Sequence, residues 1–246
     1  MKHLKISLLF PFVFVFSNSW ATTGPAAVQP EQALTYLQNG NLRFLKPSLR
    51  RDGQAKKDVQ RLSSGQNPHS VVVSCSDSRV PPEIVFDQKL GELFVIRTAG
   101  QSLDDNAVGS VEYAVEHLGT RLLTVMGHTS CGAVTAALKT LDGSTAGSPA
   151  LDSLLEEIHP RIKMFKGQEP SSGVEKESLA NATGVAHDLI KQSKVIAKKW
   201  ESGELWIVPS LYNLKTGEVK FMPRLMNPTG REPTKMSPNE EKVREH

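Results

Sequence analysis

Two cysteines stand in this chain of 246 residues, Cys75 and Cys131, and each lies inside a short polar motif. The first motif reads Cys75-Ser76-Asp77-Ser78-Arg79 and the second His128-Thr129-Ser130-Cys131-Gly132. Two thiolates and one imidazole make three ligands suited to zinc. A tetrahedral ion would keep its fourth position open, which distinguishes a catalytic zinc from a structural one. The chemistry on offer is that of a hydrolase, lyase or deaminase. A single Cys75–Cys131 disulfide is the bland alternative, but a disulfide has no use for Asp77, Arg79 or His128 beside it.

The spacing supports convergence. His128 and Cys131 are three apart, so a strand exit running into a helix turns both side chains toward one point. Two thiolates bring the net charge at a divalent zinc to about zero, which weakens it as a Lewis acid relative to three neutral histidines. Something nearby must then help to orient or deprotonate a bound water. Asp77, two residues past a ligand, can bind the metal as fourth ligand or accept a hydrogen bond from zinc-bound hydroxide. Arg79 can hold Asp77 in a paired hydrogen bond, ionised and off the metal. Away from a cysteine ligand the same pair would read as a surface ion pair worth under about 1 kcal/mol.

The elements that must position these residues follow a strand–helix rhythm. Ser70 to Ser74 is a β-branched run without alternation, which suits a strand buried on both faces, and Cys75 closes it. Pro81 to Asp87 reads as a short helix, Leu93 to Arg97 as a second buried strand, and Asp105-Asn106 as the cap of a helix to about His117. Leu122 to Met126 is a third strand with Gly127-His128 at its exit, and Cys131 to Leu138 opens the next helix. Leu205 to Pro209 is a fourth strand, followed by a turn at Leu214 to Gly217 and an edge strand, Val219 to Phe221. This predicts an α/β fold: a central, mostly parallel sheet with flanking helices, an antiparallel edge strand and an N-terminal helical arm. Ligands in such sheets bind beyond the carboxyl ends of the strands, where both motifs fall.

The arm opens at Pro30-Glu31-Gln32, and Asn39-Gly40-Asn41 predicts a break in it. Lys46 to Gln60 reads as basic and exposed, with room for a short helix, and Ser63 to Pro68 as a loop. Lys139 to Glu175 and Arg224 to His246 are rich in Gly, Pro and charge, and the last stretch, 226–246, reads as a disordered tail. Residues 30–225 then form a single domain.

Residues 1–21 read as a secretory signal. Lys2 and Lys5 precede an apolar run, Ile6 to Phe16, that is too short to span a bilayer comfortably, and Ser19-Trp20-Ala21 supplies the small residues of a cleavage site. An uncleaved anchor is the alternative. The segment 22–29 is a linker. Export to the periplasm by the general secretory route is the expectation, with no membrane contact after cleavage. With 29 basic and 26 acidic residues the net charge is +3, and the basic residues are scattered, so nucleic-acid binding is not expected.

The segment Cys75-Ser76-Asp77-Ser78-Arg79-Val80-Pro81, together with His128-x-x-Cys131-Gly132, resembles the β-class carbonic anhydrases. The similarity runs from about Pro30 to Phe221 and includes Gly40-Asn41-x-Arg43-Phe44, Gly65-Gln66-x-Pro68, Gly91-Glu92-Leu93-Phe94, Gly109-Ser110-x-Glu112-Tyr113 and Tyr212-Asn213-Leu214. The resemblance implies reversible hydration of CO2 to bicarbonate and a proton, with one Zn2+ per chain on Cys75, His128 and Cys131. It implies Asp77 as acceptor from the zinc-bound hydroxide and Arg79 as its partner. It also implies Gln66, Phe94 and Tyr113 in the CO2 pocket, the Gly132 amide on the bound anion, and a homodimer or homotetramer whose pockets are shared between chains.

One subclass of that family carries an inhibitory bicarbonate site with a tryptophan three residues before the first ligand. Here that position is Val72, although Arg97 matches that site's arginine. With Gln66, this favours the subclass in which Asp77 stays on Arg79. Thr98 and Pro209-Ser210 depart from the family's usual Asn and Gly-Ala. A related zinc enzyme acting on CS2 or COS, and a non-catalytic zinc-binding protein, are the alternatives. His69, His117, His159, His187 and His246 show no ligand spacing, although one could serve as proton shuttle, and Asn181-Ala182-Thr183 matches a glycosylation sequon.

Overall fold

A computed structural model describes residues 27–46 and 48–230. The signal-peptide reading of 1–21, most of the 22–29 linker and residues 231–246 of the tail lie outside the described residues.

Five strands form one sheet in the order β2-β1-β3-β4-β5, with β1 Ser70–Cys75, β2 Leu93–Thr98, β3 Leu122–His128, β4 Trp206–Tyr212 and β5 Val219–Phe221. The first four run parallel and β5 pairs antiparallel with β4. Every residue of β1 and β3 is buried. That is why their apolar runs do not alternate: helices cover both faces. Val71, Val73, Leu123, Val125 and Ile207 pack on one side with α4 (Asp105–Glu116), α7 (Glu175–Gln192) and α8 (Lys194–Glu201). Val72, Leu122, Met126 and Val208 pack on the other with α1 (Pro30–Phe44) and α3 (Pro82–Val85). The remaining helices are α2 (Lys56–Leu62), α5 (Gly132–Lys139) and α6 (Pro149–Ile162). None of the helices among the described residues is long and apolar enough to cross a membrane.

Two expectations need correction. The break at Asn39-Gly40-Asn41 does not occur, because α1 runs through it unbroken. These residues are there for contact rather than for a turn. A Cβ on Gly40 would lie 1.7 Å from the Phe86 carbonyl oxygen, so only glycine lets α1 sit on the end of α3. Buried Asn41 gives Nδ2 to the carbonyls of Val85 and Gly217 at 3.1 and 2.9 Å, and its Oδ1 accepts the Val219 amide at 2.9 Å. The helix thereby stitches α3 to the β4–β5 turn.

The stretch 139–175, rich in Gly, Pro and charge, contains α6. Ser148 caps that helix by accepting the Leu151 amide, Pro149 occupies its first turn, and Leu155, Ile158 and Ile162 form its buried stripe. The cap of α4 is Asp104, one residue earlier than expected, accepting the Ala107 amide at 2.7 Å.

Candidate metal centre

Cys75 ends β1, His128 ends β3, and Cys131 stands immediately before α5. Adjacent parallel strands bring the first two side by side, because β1 and β3 pair from Val71↔Leu123 to Ser74↔Met126. The Thr129-Ser130 turn then folds Cys131 back, with Ser130 in the left-handed region at φ 55. Its amide is held by the Gly173 carbonyl. One ligand atom from each of Cys75, His128 and Cys131 lies within 4.8 Å of the others. All three side chains are buried, at 5%, 0% and 1% exposure.

The donor set fits zinc on two independent grounds. First, His128 Nδ1 lies 2.9 Å from the Thr129 carbonyl oxygen, so that nitrogen carries the proton and donates it. The Nε2 lone pair is left facing the thiols, buried and without a protein partner. Second, both cysteines are free thiols. A hydrogen bond from Cys131, with a further one from the Gly100 amide, pushes the Cys75 thiol down; the same interaction and burial push Cys131 up. Without a cation the pair supports one thiolate, and a divalent ion is what lets both ionise.

Asp77 stands beside this cluster. Arg79 clamps it three times, from Nε and the backbone amide to Oδ1 at 2.9 Å each and from Nη2 to Oδ2 at 2.7 Å. These bonds hold the Asp77 carboxyl well below the usual carboxylate range. Asp77 Oδ2 is 3.9 Å from His128 Nε2. An ionised acceptor therefore lies beside the cluster, held by Arg79. Gly132 begins α5, and a Cβ there would meet nothing within 4 Å, so the space before the helix's first turn is open.

Several supports were not legible as site residues. Arg97 donates Nε to the Cys75 carbonyl at 2.9 Å and Nη2 to the Asp77 carbonyl at 2.7 Å. Its guanidinium braces the motif's main chain. The Tyr212-Asn213-Leu214 motif braces the other side: the Thr129 amide donates to the Tyr212 carbonyl at 3.0 Å, and the Leu214 amide to Thr129 Oγ1 at 3.0 Å. A basic residue one strand over from the ligand strand was the signal for Arg97, but sequence could not say what it holds. The sequon reading does not survive as a surface feature, because Asn181 is fully buried inside α7.

Gln66, Phe94 and Tyr113 are not brought to this cluster. Gln66 is exposed in the loop preceding β1, at the opposite end of that strand from Cys75. Phe94 pairs with Val71, four residues before Cys75, and so lies about 13 Å back along the strand direction. Tyr113 is 47% exposed on α4 and stays with Phe94, their ring centroids 6.1 Å apart. The expected pocket residues form a group of their own, away from the metal ligands of the same chain. Among the other histidines, His69 is buried between Ser70 Oγ and Gln88 Oε1, His117 stacks near Tyr113, and His159 bonds Thr140.

A carbonic anhydrase family model matches residues 70–219. Carbonic anhydrase 2 of Mycobacterium tuberculosis is 34% identical over 198 residues, covering 80% of this chain and 95% of that protein. A β-carbonic anhydrase structure from Aspergillus fumigatus superposes with a TM-score of 0.60 at 23% identity, covering 68% of this chain and 80% of that one. A structure described as a tetrameric β-carbonic anhydrase of Sordaria macrospora gives 0.57 at 19% identity over 78% of this chain and 94% of that one.

Proposed function

The chain belongs to the β-carbonic anhydrase family, which interconverts CO2 with bicarbonate and a proton, and on that premise we propose an exported, zinc-loaded oligomer in which Asp77 and Arg79 orient the attacking water. Cys75, His128 and Cys131 would hold the zinc, which when bound would supply the acidity that makes water a nucleophile at neutral pH. The rest of the work belongs to the protein. Asp77, kept ionised by Arg79, can only accept a hydrogen bond, so it would accept one from the attacking oxygen's O–H and turn an oxygen lone pair toward CO2 without taking the proton. The Gly132 amide stands at the positive end of α5, where it would favour the negative charge that develops as bicarbonate forms. Arg97 keeps the Cys75–Asp77 main chain from relaxing.

The observation that carries this reading is an ionised carboxylate, clamped from three directions, 3.9 Å from a buried histidine nitrogen with no partner of its own. It also favours the permanently open subclass. Val72 leaves no tryptophan for an inhibitory site, and Arg97 is spent on main-chain carbonyls.

The separation of Gln66, Phe94 and Tyr113 from the metal ligands supports a homodimer. β2 is an edge strand with an incompletely buried face. Antiparallel pairing of β2 with a two-fold copy, centred on Ile96, would set the partner subunit's Phe94 opposite Thr98, the residue that pairs with Cys75. The tetramer described for the Sordaria protein is in line with such pairing. Periplasmic export rests on the sequence pattern of residues 1–21.

Stopped-flow CO2 hydration against pH, with metal analysis of the same sample, tests the reading. One zinc per chain and activity that declines gradually toward acid are expected. A steep, cooperative acid collapse with Asp77 moved from Arg79 onto the metal would overturn the open-site reading. Fractionation tests export: activity should leave the periplasmic extract when residues 1–21 are deleted.

A further inference from the structure

We propose that Asn181 is a positioning residue for the metal centre, acting through the Gly100 amide on the Cys75 sulfur. The inference rests on metal binding by Cys75, His128 and Cys131.

The path is short and buried throughout. After β2 the chain makes a tight turn at Ala99–Gln101 in which Gly100 and Gln101 both take left-handed backbone angles, φ 63 and φ 55. For a non-glycine residue such as Gln101 that conformation costs about 1–2 kcal/mol, so something must hold it. The turn aims the Gly100 N–H at Cys75 Sγ, 3.4 Å away. A Cβ on Gly100 would lie 2.6 Å from Ile158 Cδ1 and 2.9 Å from Ala133 Cβ, so the turn is packed from behind as well.

Asn181 holds the turn from the other side. It comes from α7, 81 residues further along the chain, and its Nδ2 donates to the Gly100 carbonyl at 2.6 Å and to Gln101 Oε1 at 3.2 Å. Its depth is set by the helix–sheet contact. A Cβ on Gly127 would meet the Ser178 carbonyl oxygen at 2.8 Å, so glycine just before His128 lets α7 lie directly on β3. Asparagine is a poor choice inside a helix, and a buried amide without partners costs about 1–3 kcal/mol. Both costs are met by fixing a turn whose one outward product is a donor on a ligand sulfur.

The consequence is electronic as well as geometric. An N–H donor on a thiolate withdraws charge from sulfur, so the metal it binds stays a stronger Lewis acid. Two thiolates are the weakness of this ligand set, and the Gly100 amide offsets part of it at Cys75.

Cobalt substitution reads the sulfur directly. Protein exchanged from zinc to Co2+ should show a thiolate-to-cobalt charge-transfer band in the wild type. In Asn181→Asp, which keeps the shape and loses the donor, and in Asn181→Ala, that band should move to longer wavelength. Zinc release to a competing chelator should accelerate on the order of tenfold or more. Gln101→Gly, which relieves the strained backbone angle but removes the longer of the two Asn181 bonds, should move the band less and in the same direction, and it serves if the Asn181 variants fail to fold. Ser178→Ala, on the same buried helix face, should leave band and release rate alone. Folded variants at Asn181 with the wild-type band and release rate would overturn the proposal, as would an equal shift in Ser178→Ala. A wild type that takes up Co2+ without a thiolate band would instead overturn the metal-site reading beneath it.

Discussion

The two ends of β1 teach different lessons about how an active site is encoded. At the carboxyl end, Cys75, His128 and Cys131 are almost wholly buried and converge within one chain. Their partners are also local: Thr129 for His128, Arg79 for Asp77, Gly100 for Cys75. At the amino end, Gln66 and Tyr113 are exposed and, with Phe94, surround no metal ligand of their own chain. The first region converges within one chain because β1–β3 pairing sets Cys75 beside His128 and the Thr129-Ser130 turn folds Cys131 back onto them. The second region holds the expected pocket residues away from the metal ligands of its own chain, a separation the proposed dimer would account for.

The comparison is broken most sharply by losing the metal end. Cys75→Ser should drop zinc occupancy and CO2 hydration to background while circular dichroism stays native-like, because the sheet does not depend on that sulfur; zinc analysis and stopped-flow assay check this. Retained zinc would remove Cys75 from the ligand set.

Next comes Asp77→Asn. Zinc should be retained, since the carboxylate lies beside the cluster and not in it, and CO2 hydration should fall about 10²-fold or more. Because Arg79 lowers the Asp77 pKa, the sign of its linkage is fixed. Its contribution to stability is present above the ordinary aspartate value and is lost only as pH falls through the lower folded one, so Asp77 titration should not shape the activity profile near neutrality.

The division between the two ends is tested by complementation. Cys75→Ser subunits and Tyr113→Ala subunits should each be deficient alone. Co-assembled at random, they should regain about a quarter of wild-type activity, because half the dimers carry one intact site out of two. No recovery in verified mixed dimers would mean that each chain builds its own pocket.

The smallest effect lies near the amino end. Burial pushes His69 below its ordinary pKa of 6.5, against support from the Gln88 hydrogen bond and Glu92, with Ser70 and the Tyr36 ring also against it and Arg50 nearby. Folded His69 therefore takes up its proton later than the unfolded chain does. Stability should be level above about 6.5 and decline below it, and His69→Gln should flatten that decline in urea titrations at stepped pH.

The sheet was legible because burial on both faces leaves a plain mark. Val71 to Val73 and Leu122 to Met126 are continuous apolar runs, and each ends in a polar motif. Other elements were hidden by residues that serve tertiary contacts while resembling turn formers. Gly40 and Asn41 read as a break in α1, yet one permits the approach to Phe86 and the other ties three segments together. In the stretch holding α6, Gly, Pro and charged residues mask a buried stripe three and four residues apart, so no helix is read there. Asn181 illustrates the limit best. Its local sequence marks a surface sequon, and its burial under the Gly127 contact makes it a brace for the metal end.

By itself the sequence determined the ligand types, their order along the chain and their positions at strand ends, because ligand chemistry and sheet burial both act over a few neighbouring residues. Only the tertiary structure decided which donors stand behind those ligands and which residues lie out of their reach. Those relations join segments as far apart as Gly100 and Asn181, or separate Phe94 from Cys75 along the sheet, and strand register and helix packing set them.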